Sequence, residues 1–244
     1  MLNYIKLIKY YIINDNNTLP TDRIAGYALN ALRSRCLIIF ARAPARGKCK
    51  TRLLSKYGRT GATKIHQKLV MKTLGTALDV EATPILFCTP NTTHGFFTAC
   101  RRRLSIPLRR QASGDLGKKM GSALLAALKT YHTAIIVGTD CAALTSRDIE
   151  EAFTALEQGH ATVIKSATDG GYVLIGATAF RLSALRHINW SSGQEFRQTV
   201  RRLQRLNLAP KLLTPSWDVD HPKDVIKARR LGLLPAFTGP LFTS

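Results

Sequence analysis

The chain has 244 residues, 45% of them hydrophobic, and carries a formal net charge of +21. Its hydrophobic share excludes a disordered chain, its length suffices for a substantial core, and no apolar run reaches the ~20 residues that cross a bilayer. The charge excess points to anionic partners: nucleotides, phosphosugars, nucleic acid or an anionic membrane face.

Residues 1–34 read as an N-terminal extension. Leu2–Ile13 is apolar and tyrosine-rich, Asn14–Pro20 is a polar break, and Asp22–Arg33 has helical spacing. The segment lacks the small-residue cleavage site of a secretory signal. A docking arm, a membrane-surface contact and sequence upstream of the true start all remain open for it. The domain itself is expected over 35–232, with a terminal tail over 233–244.

Cys36–Phe40 (CLIIF) predicts a buried strand, and the loop Ala41–Leu53 (ARAPARGKCKTRL) follows it directly. Pro44 and Gly47 punctuate a turn ringed by Arg46, Lys48, Lys50 and Arg52. Strand, glycine-containing loop, then helix is an arrangement that cradles phosphate through backbone N–H groups. The loop is not a Walker A sequence, and a solvated basic loop is the alternative. A long helix is expected over Thr60–Val80, with Ile65, Leu69, Leu74 and Leu78 facing inward. Ala82–Cys88 predicts a strand, Phe96–Arg103 a short helix and Ile106–Arg109 a short strand. In Gln111–Met120 (QASGDLGKKM), Gly114 and Gly117 allow close backbone approach. Leu116, Met120, Leu124 and Leu128 form a core stripe at helical spacing.

Thr133–Thr145 (TAIIVGTDCAALT) is the stretch around which the chain is organised. Its apolar run, closed by Gly138, is the pattern of a buried strand in a mostly parallel sheet. Ligands bind in the crevice beyond the carboxyl ends of such strands, which is where Asp140 would sit. Asp is also a common turn or capping residue. Thr145 with Asp148 already supplies a capping box for the next helix, however, so Asp140 is spare.

Arg147–Gln158 is expected to be helical and Ala161–Ile164 to be a strand. Asp169-Gly170-Gly171 reads as a turn into the strand Tyr172–Ile175, which an ordinary hairpin also explains. Thr178–Arg186 and Gly193–Leu206 look helical, the second with Phe196, Val200 and Leu203 inward and Arg197, Arg201 and Arg205 on a solvated face. Leu212–Pro215 predicts an edge strand. Asp220 before Pro222 reads as a helix N-cap, leaving Asp218 as the spare carboxylate. Five cysteines without paired spacing suggest reduced thiols and a cytoplasmic protein.

Alternating strands and helices predict a single three-layer α/β/α sandwich with a mostly parallel sheet. Five stretches in order, Arg42–Leu53, Gln111–Met120, Gly138–Thr145, Asp169–Gly176 and Asp218–Val225, resemble the bacterial DUF2064 family of GT-A-type (nucleotide-diphospho-sugar transferase-like) glycosyltransferases, associated with arsenosugar biosynthesis. More distantly the chain is similar to the nucleotidyltransferases that guanylylate phospholactate or the molybdenum cofactor. It departs from the family pattern at Arg46 and Ala142, where prolines are usual, and at His221-Pro222-Lys223, where Thr-Pro-Glu is usual.

That resemblance implies a metal-dependent transferase taking a nucleotide-sugar donor to an unknown acceptor, or else a nucleotidyltransferase releasing pyrophosphate from a nucleoside triphosphate. It implies that Arg42 and the Gly47–Arg52 loop hold the phosphates, with Lys50 and Arg52 as the cationic and catalytic partners. Gln111 and the Gly114, Asp115 and Gly117 segment would contact the base. Asp140 would carry Mg²⁺ or Mn²⁺, with Asp220 as second ligand and Asp218 as its competitor. Asp169, Gly170, Gly171 and Tyr172 would face the sugar or acceptor, Asp169 serving as base. Nucleic acid is disfavoured as a partner, since no helix-turn-helix, zinc module or aromatic RNA-binding motif is visible. A peripheral contact between the basic surface and an anionic membrane would suit a membrane-embedded acceptor.

Overall fold

The computed structural model describes residues 34–234, and the statements below concern those residues. Seven strands form one sheet in the order β3-β2-β1-β4-β6-β5-β7. They are β1 (Arg35–Arg42), β2 (Thr83–Thr89), β3 (Leu108–Arg110), β4 (Thr133–Gly138), β5 (Thr162–Ala167), β6 (Tyr172–Ala177) and β7 (Pro210–Ser216). β1 pairs in parallel with β2 and β4, β2 with β3, and β5 with β7. Only β6 runs against its neighbours. The turn joining it to β5 is too short for a crossover, so the two must form a hairpin. The reversal carries the start of β6, and the Asp169–Gly171 turn before it, to the end of the sheet where the other strands finish.

Alternation along the strands buries the sheet on both faces. In β1, Leu37, Ile39 and Ala41 pack on one side while Cys36 and Ile38 pack on the other. The first face is covered by α1 (Leu54–Leu78), α2 (Gly95–Leu104) and α4 (Ser146–Glu157) through Leu74, Phe97 and Phe153. The second is covered by α3 (Leu116–Ala127) and α5 (Glu195–Arg205) through Met120, Leu124 and Leu203. The predicted three-layer α/β/α sandwich is thus observed. A last helix, α6 (Pro222–Arg230), packs Val225 and Ala228 against Leu53, Ile65 and Leu69.

Several expectations shift. The first helix begins at Leu54 rather than Thr60, with a break in helical geometry at Gly58 (φ 62°). Leu78, expected inside, is exposed in its last turn, and Leu116 is exposed at the start of α3 rather than in the core. The helix expected over Thr178–Arg186 is reduced to a single 3₁₀ turn, Leu182–Leu185, which packs Ala184 and Leu185 beneath α3 and α5. Packing of two residues, not helical periodicity, holds that segment. Leu234, assigned to the tail, is buried with α6. The extension assigned to 1–34 lies outside the described residues apart from Ser34, as does the tail from 235 onward. Among the described residues no helix is long and apolar enough to cross a membrane.

Candidate functional site

The strand order turns back on itself between β1 and β4, and the crevice at such a switch point is where parallel α/β sheets receive ligands. A cleft of about 900 Å³ opens there. β1 and β4 end in register, Phe40 beside Gly138. The loop after β1 and the Gly138–Cys141 turn therefore face each other across it. The predicted capping box of α4, Thr145 with Asp148, is formed. Asp140 is consequently free of helix capping, as its spacing implied.

Lys50 joins the two sides. Its Nζ lies 2.8 Å from Asp140 Oδ1 and 2.9 Å from Asp220 Oδ1, with its side chain only 6% exposed. Arg52 adds a contact of 3.1 Å to Asp220 Oδ2. Burial disfavours the Lys50 charge, but the two carboxylates outweigh it and raise the ammonium above its ordinary pKa. Burial likewise opposes ionisation of Asp220, and Lys50 with Arg52 reverses that and lowers its pKa. Lys50 sits in the left-handed region (φ 48°, ψ 48°), a conformation that costs an ordinary residue on the order of 1–2 kcal/mol. Such a residue persists where its surroundings hold it, here by two charge-assisted hydrogen bonds.

Asp220 was read as a helix cap, and that reading is corrected. The residue capping α6 is His221, and Asp224 Oδ2 accepts from the backbone N–H groups of both Asp220 and His221. The Asp220 carboxylate is thereby released to the cleft. The loop is tied to the end of β4 by a hydrogen bond from Val219 N–H to Asp140 O. Asp218, on the same loop, lines the cleft near all of these groups. Burial, then Asp140, pushes its carboxyl up to about 7, with Asp169 and Asp220 adding and Lys50 opposing.

A carboxyl protonated more readily in the fold than in the unfolded chain binds extra protons between its two pKa values. Stability therefore falls as pH rises from about 4 to about 7. Asp218→Asn is expected to remove this slope and to stabilise the protein by about 1–2 kcal/mol at pH 8, allowing for screening in the open cleft. Urea unfolding at pH 5 and pH 8 checks it; a variant with the parent's pH dependence would refute it.

Arg42, Gln111, Gly171 and Tyr172 also line the cleft. Gln111 bridges the ends of two strands, its side-chain amide donating to Phe87 O at 2.9 Å and Ala41 O at 3.4 Å. Gly47, Gly114, Asp115, Gly117 and Gly170, expected at the ligand, are not among the residues lining the cleft. Gly47 (φ 75°) faces the Arg59 side chain, and Asp115 caps α3 by accepting from Lys118 N–H. A Cβ at Gly117 would lie 2.3 Å from Leu185 O. The Tyr172 ring borders the cleft, but its hydroxyl is buried, which raises its pKa against the opposing effect of Thr199 beside it. Asp169 combines the turn and site readings: its Oδ1 accepts from Gly171 N–H at 3.0 Å while the residue lines the cleft.

Gly170 (φ 93°) holds this turn against the 190s loop, because a Cβ there would lie 1.9 Å from Gly193 O. Gly170→Ala should therefore cost about 2–4 kcal/mol through strain and overpacking. Equilibrium unfolding measures it, and a loss below 0.5 kcal/mol, roughly that of an ordinary surface change, would contradict the close approach.

Among residues the sequence did not single out, His66, Lys119, Trp190 and Glu195 line the cleft. His66 donates from Nε2 to Arg42 O at 2.9 Å, pinning the end of β1, and burial lowers its pKa. Among the described residues no cluster of three or more His, Cys, Asp or Glu is placed to hold a metal. The convergent pair Asp140 and Asp220 nevertheless suits Mg²⁺ or Mn²⁺, which need only one or two protein carboxylates beside substrate phosphates and water. All five cysteines are free and buried.

The family model DUF2064, an uncharacterized protein conserved in bacteria, matches residues 73–192, so the family resemblance read from the motifs is borne out. Gln111–Met120, Gly138–Thr145 and Asp169–Gly176 lie within that span, while the Lys50 loop and the Asp218–Val225 stretch flank it. No curated protein matches the chain. A proposed nucleotide-diphospho-sugar transferase from Desulfovibrio desulfuricans G20 superimposes with a TM-score of 0.71 at 26% identity, covering 77% of this chain and 82% of that one. The 4-diphosphocytidyl-2C-methyl-D-erythritol synthase of Anaerococcus prevotii DSM 20548 gives 0.57 at 12% identity over 84% and 98%. A nucleotidyl transferase from Methanothermobacter thermautotroptrophicus gives 0.54 at 13% identity over 82% and 98%. The fold is similar to that of nucleotide-diphospho-sugar transferases.

Proposed function

We propose that the chain is a nucleotide-utilising transferase that moves a sugar from a nucleotide-diphosphate donor to a hydroxyl acceptor, assisted by Mg²⁺ or Mn²⁺. The observation that carries the reading is the junction at the switch point, where buried Lys50 meets Asp140 and Asp220 within 3 Å. A diphosphate leaving group gains negative charge as the sugar–oxygen bond breaks. Fixed cations stabilise that charge more than they stabilise the ground state. Lys50 and Arg52 are held in place for it, with Arg42 at the rim.

Asp140 and Asp220 would hold the divalent ion, which when bound supplies further charge neutralisation at the diphosphate. The Lys50 ammonium satisfies both carboxylates and would turn toward the phosphates of an entering donor. Asp169, on the turn before β6, is the candidate base for the acceptor hydroxyl. The likeness to the Desulfovibrio protein supports nucleotide-sugar use.

The same junction supports a second reading. A lysine bound to two carboxylates at a phosphate cradle also suits substitution at the α-phosphorus of a nucleoside triphosphate, with release of pyrophosphate. Isothermal titration with UDP, GDP and their sugars, with and without Mn²⁺, tests the first reading, which expects metal-dependent binding. Pyrophosphate release from a triphosphate with no sugar nucleotide consumed would select the second. Failure of every nucleotide to bind would exclude both.

A further inference from the structure

The charged groups of the cleft are unevenly paired. Lys50, Arg52, Arg42 and Lys48 stand at the end below β1 together with Asp140, Asp218 and Asp220, which offset much of their charge, and Lys119 lines the cleft from α3. The other end is built by the Asp169 turn and the loop leading into α5, and it holds two carboxylates, Asp169 and Glu195. Neither has an ion-pair partner among the described residues. Glu195 is only 8% exposed although it borders the cleft. Ser192 N–H donates to its Oε1 at 2.9 Å, and it is the first residue of α5.

The two acidic elements are fixed to each other. Phe196 N–H donates to Gly170 O at 3.0 Å, and Gly170 lies directly against Gly193. Between them the Trp190 ring forms part of the wall, meeting Tyr172 edge to face at 6.4 Å between centroids. An aromatic wall residue beside carboxylate acceptors matches a ligand with an apolar ring and several O–H or N–H donors. It opposes a second anion, because like charges brought together in a partly dehydrated site repel strongly. In a chain of net charge +21, unpaired carboxylates at one end of the cleft act against the attraction of anions that the rest of the surface provides.

We propose that the Trp190–Glu195 end of the cleft is the acceptor subsite and that it takes a polyhydroxylated ring bearing no negative charge. The inference rests on the transferase reading for the word acceptor, while the ligand class follows from the subsite itself. Trp190 reports on it directly, since the chain has two tryptophans and Trp217 packs elsewhere, under Lys227.

The test uses the full chain carrying Trp217→Phe, with UDP and Mn²⁺ present to fill the cationic end, and follows Trp190 emission. Methyl glucoside and glucosamine are expected to perturb the emission at concentrations about tenfold or more below those needed for glucose 6-phosphate. Glu195→Gln is expected to shrink that preference, and Asp169→Asn gives the same comparison should the first variant fold poorly. Equal or tighter binding of glucose 6-phosphate, no response to any probe, or a preference untouched by both variants overturns the proposal. If titration shows no UDP bound but methyl glucoside and glucosamine still win at Trp190, the donor reading fails and the subsite stands. If UDP binds and the preference is absent, the reverse holds.

Discussion

Lys50→Met is expected to lower kcat/KM by about 10³-fold, the scale seen when one fixed donor to a developing anion is removed. Methionine keeps the length and volume of the stem, so the buried path of the side chain remains filled. What disappears is the positive charge between Asp140 and Asp220. Three effects should then appear together. Nucleotide affinity falls, because the phosphates lose their innermost cation. Stability at pH 8 falls by about 1–3 kcal/mol, because Asp140 and Asp220 now face each other and Asp218 with only the exposed Arg52 to offset them. The third effect has the opposite sign: Mn²⁺ alone should bind about tenfold tighter than to the parent, because no ammonium competes for the two carboxylates. Isothermal titration with Mn²⁺ in the absence of nucleotide reads this gain. Lys50→Arg should rescue little, since a planar guanidinium cannot take the place of a compact ammonium in a left-handed turn. A Lys50→Met enzyme with the parent's turnover and metal affinity would remove the junction from the chemistry.

The sandwich was legible because its signals are periodic. Strands such as Ala134–Val137 are continuous apolar runs buried on both faces, and α4 carries its own start signal in Thr145 and Asp148. Asp140 was legible by elimination, because a local partner already served the helix that followed. Asp220 was indicated only by the family resemblance, because Asp shortly before Pro is a strong capping pattern and only the placement of Asp224 decides which residue caps. Leu116 misled for a related reason. It has core spacing, but it falls in the first turn of α3, where the helix faces the cleft rather than the sheet. Gly114 and Gly117 were expected at the ligand because glycine permits close approach, and Gly47 and Gly170 because the family resemblance implied it. The approach is real at 117 and 170, but the neighbour is protein backbone. Trp190 and Glu195 lie in or next to an aperiodic loop whose position depends on Gly193 meeting Gly170, more than twenty residues away, and no local pattern encodes that contact.

Asp140→Asn should reduce turnover by about 10³-fold while leaving the fold intact. Asp140 is held by its backbone, whose carbonyl accepts from Val219 N–H at 2.8 Å, and its side chain is 48% exposed. The isosteric amide can occupy the same space, so Tm should move by no more than about 2 °C. The amide carries no charge and offers a single neutral oxygen to a hard cation, so Mn²⁺-dependent nucleotide binding should weaken with activity. Asp148→Asn provides the contrast. That carboxylate caps α4 and pairs with buried Lys165 at 2.9 Å, remote in role from the cleft. Its loss should cost about 1–3 kcal/mol of stability and leave kcat within about twofold at a temperature where the variant remains folded. The two aspartates lie eight positions apart on the same strand-to-helix connection, so a general weakening of that connection would affect both variants alike. Separation into one catalytic and one structural loss is the expected result. An Asp140→Asn protein that turns over normally, or one whose activity loss only tracks unfolding, would show that the carboxylate at the end of β4 does no chemistry.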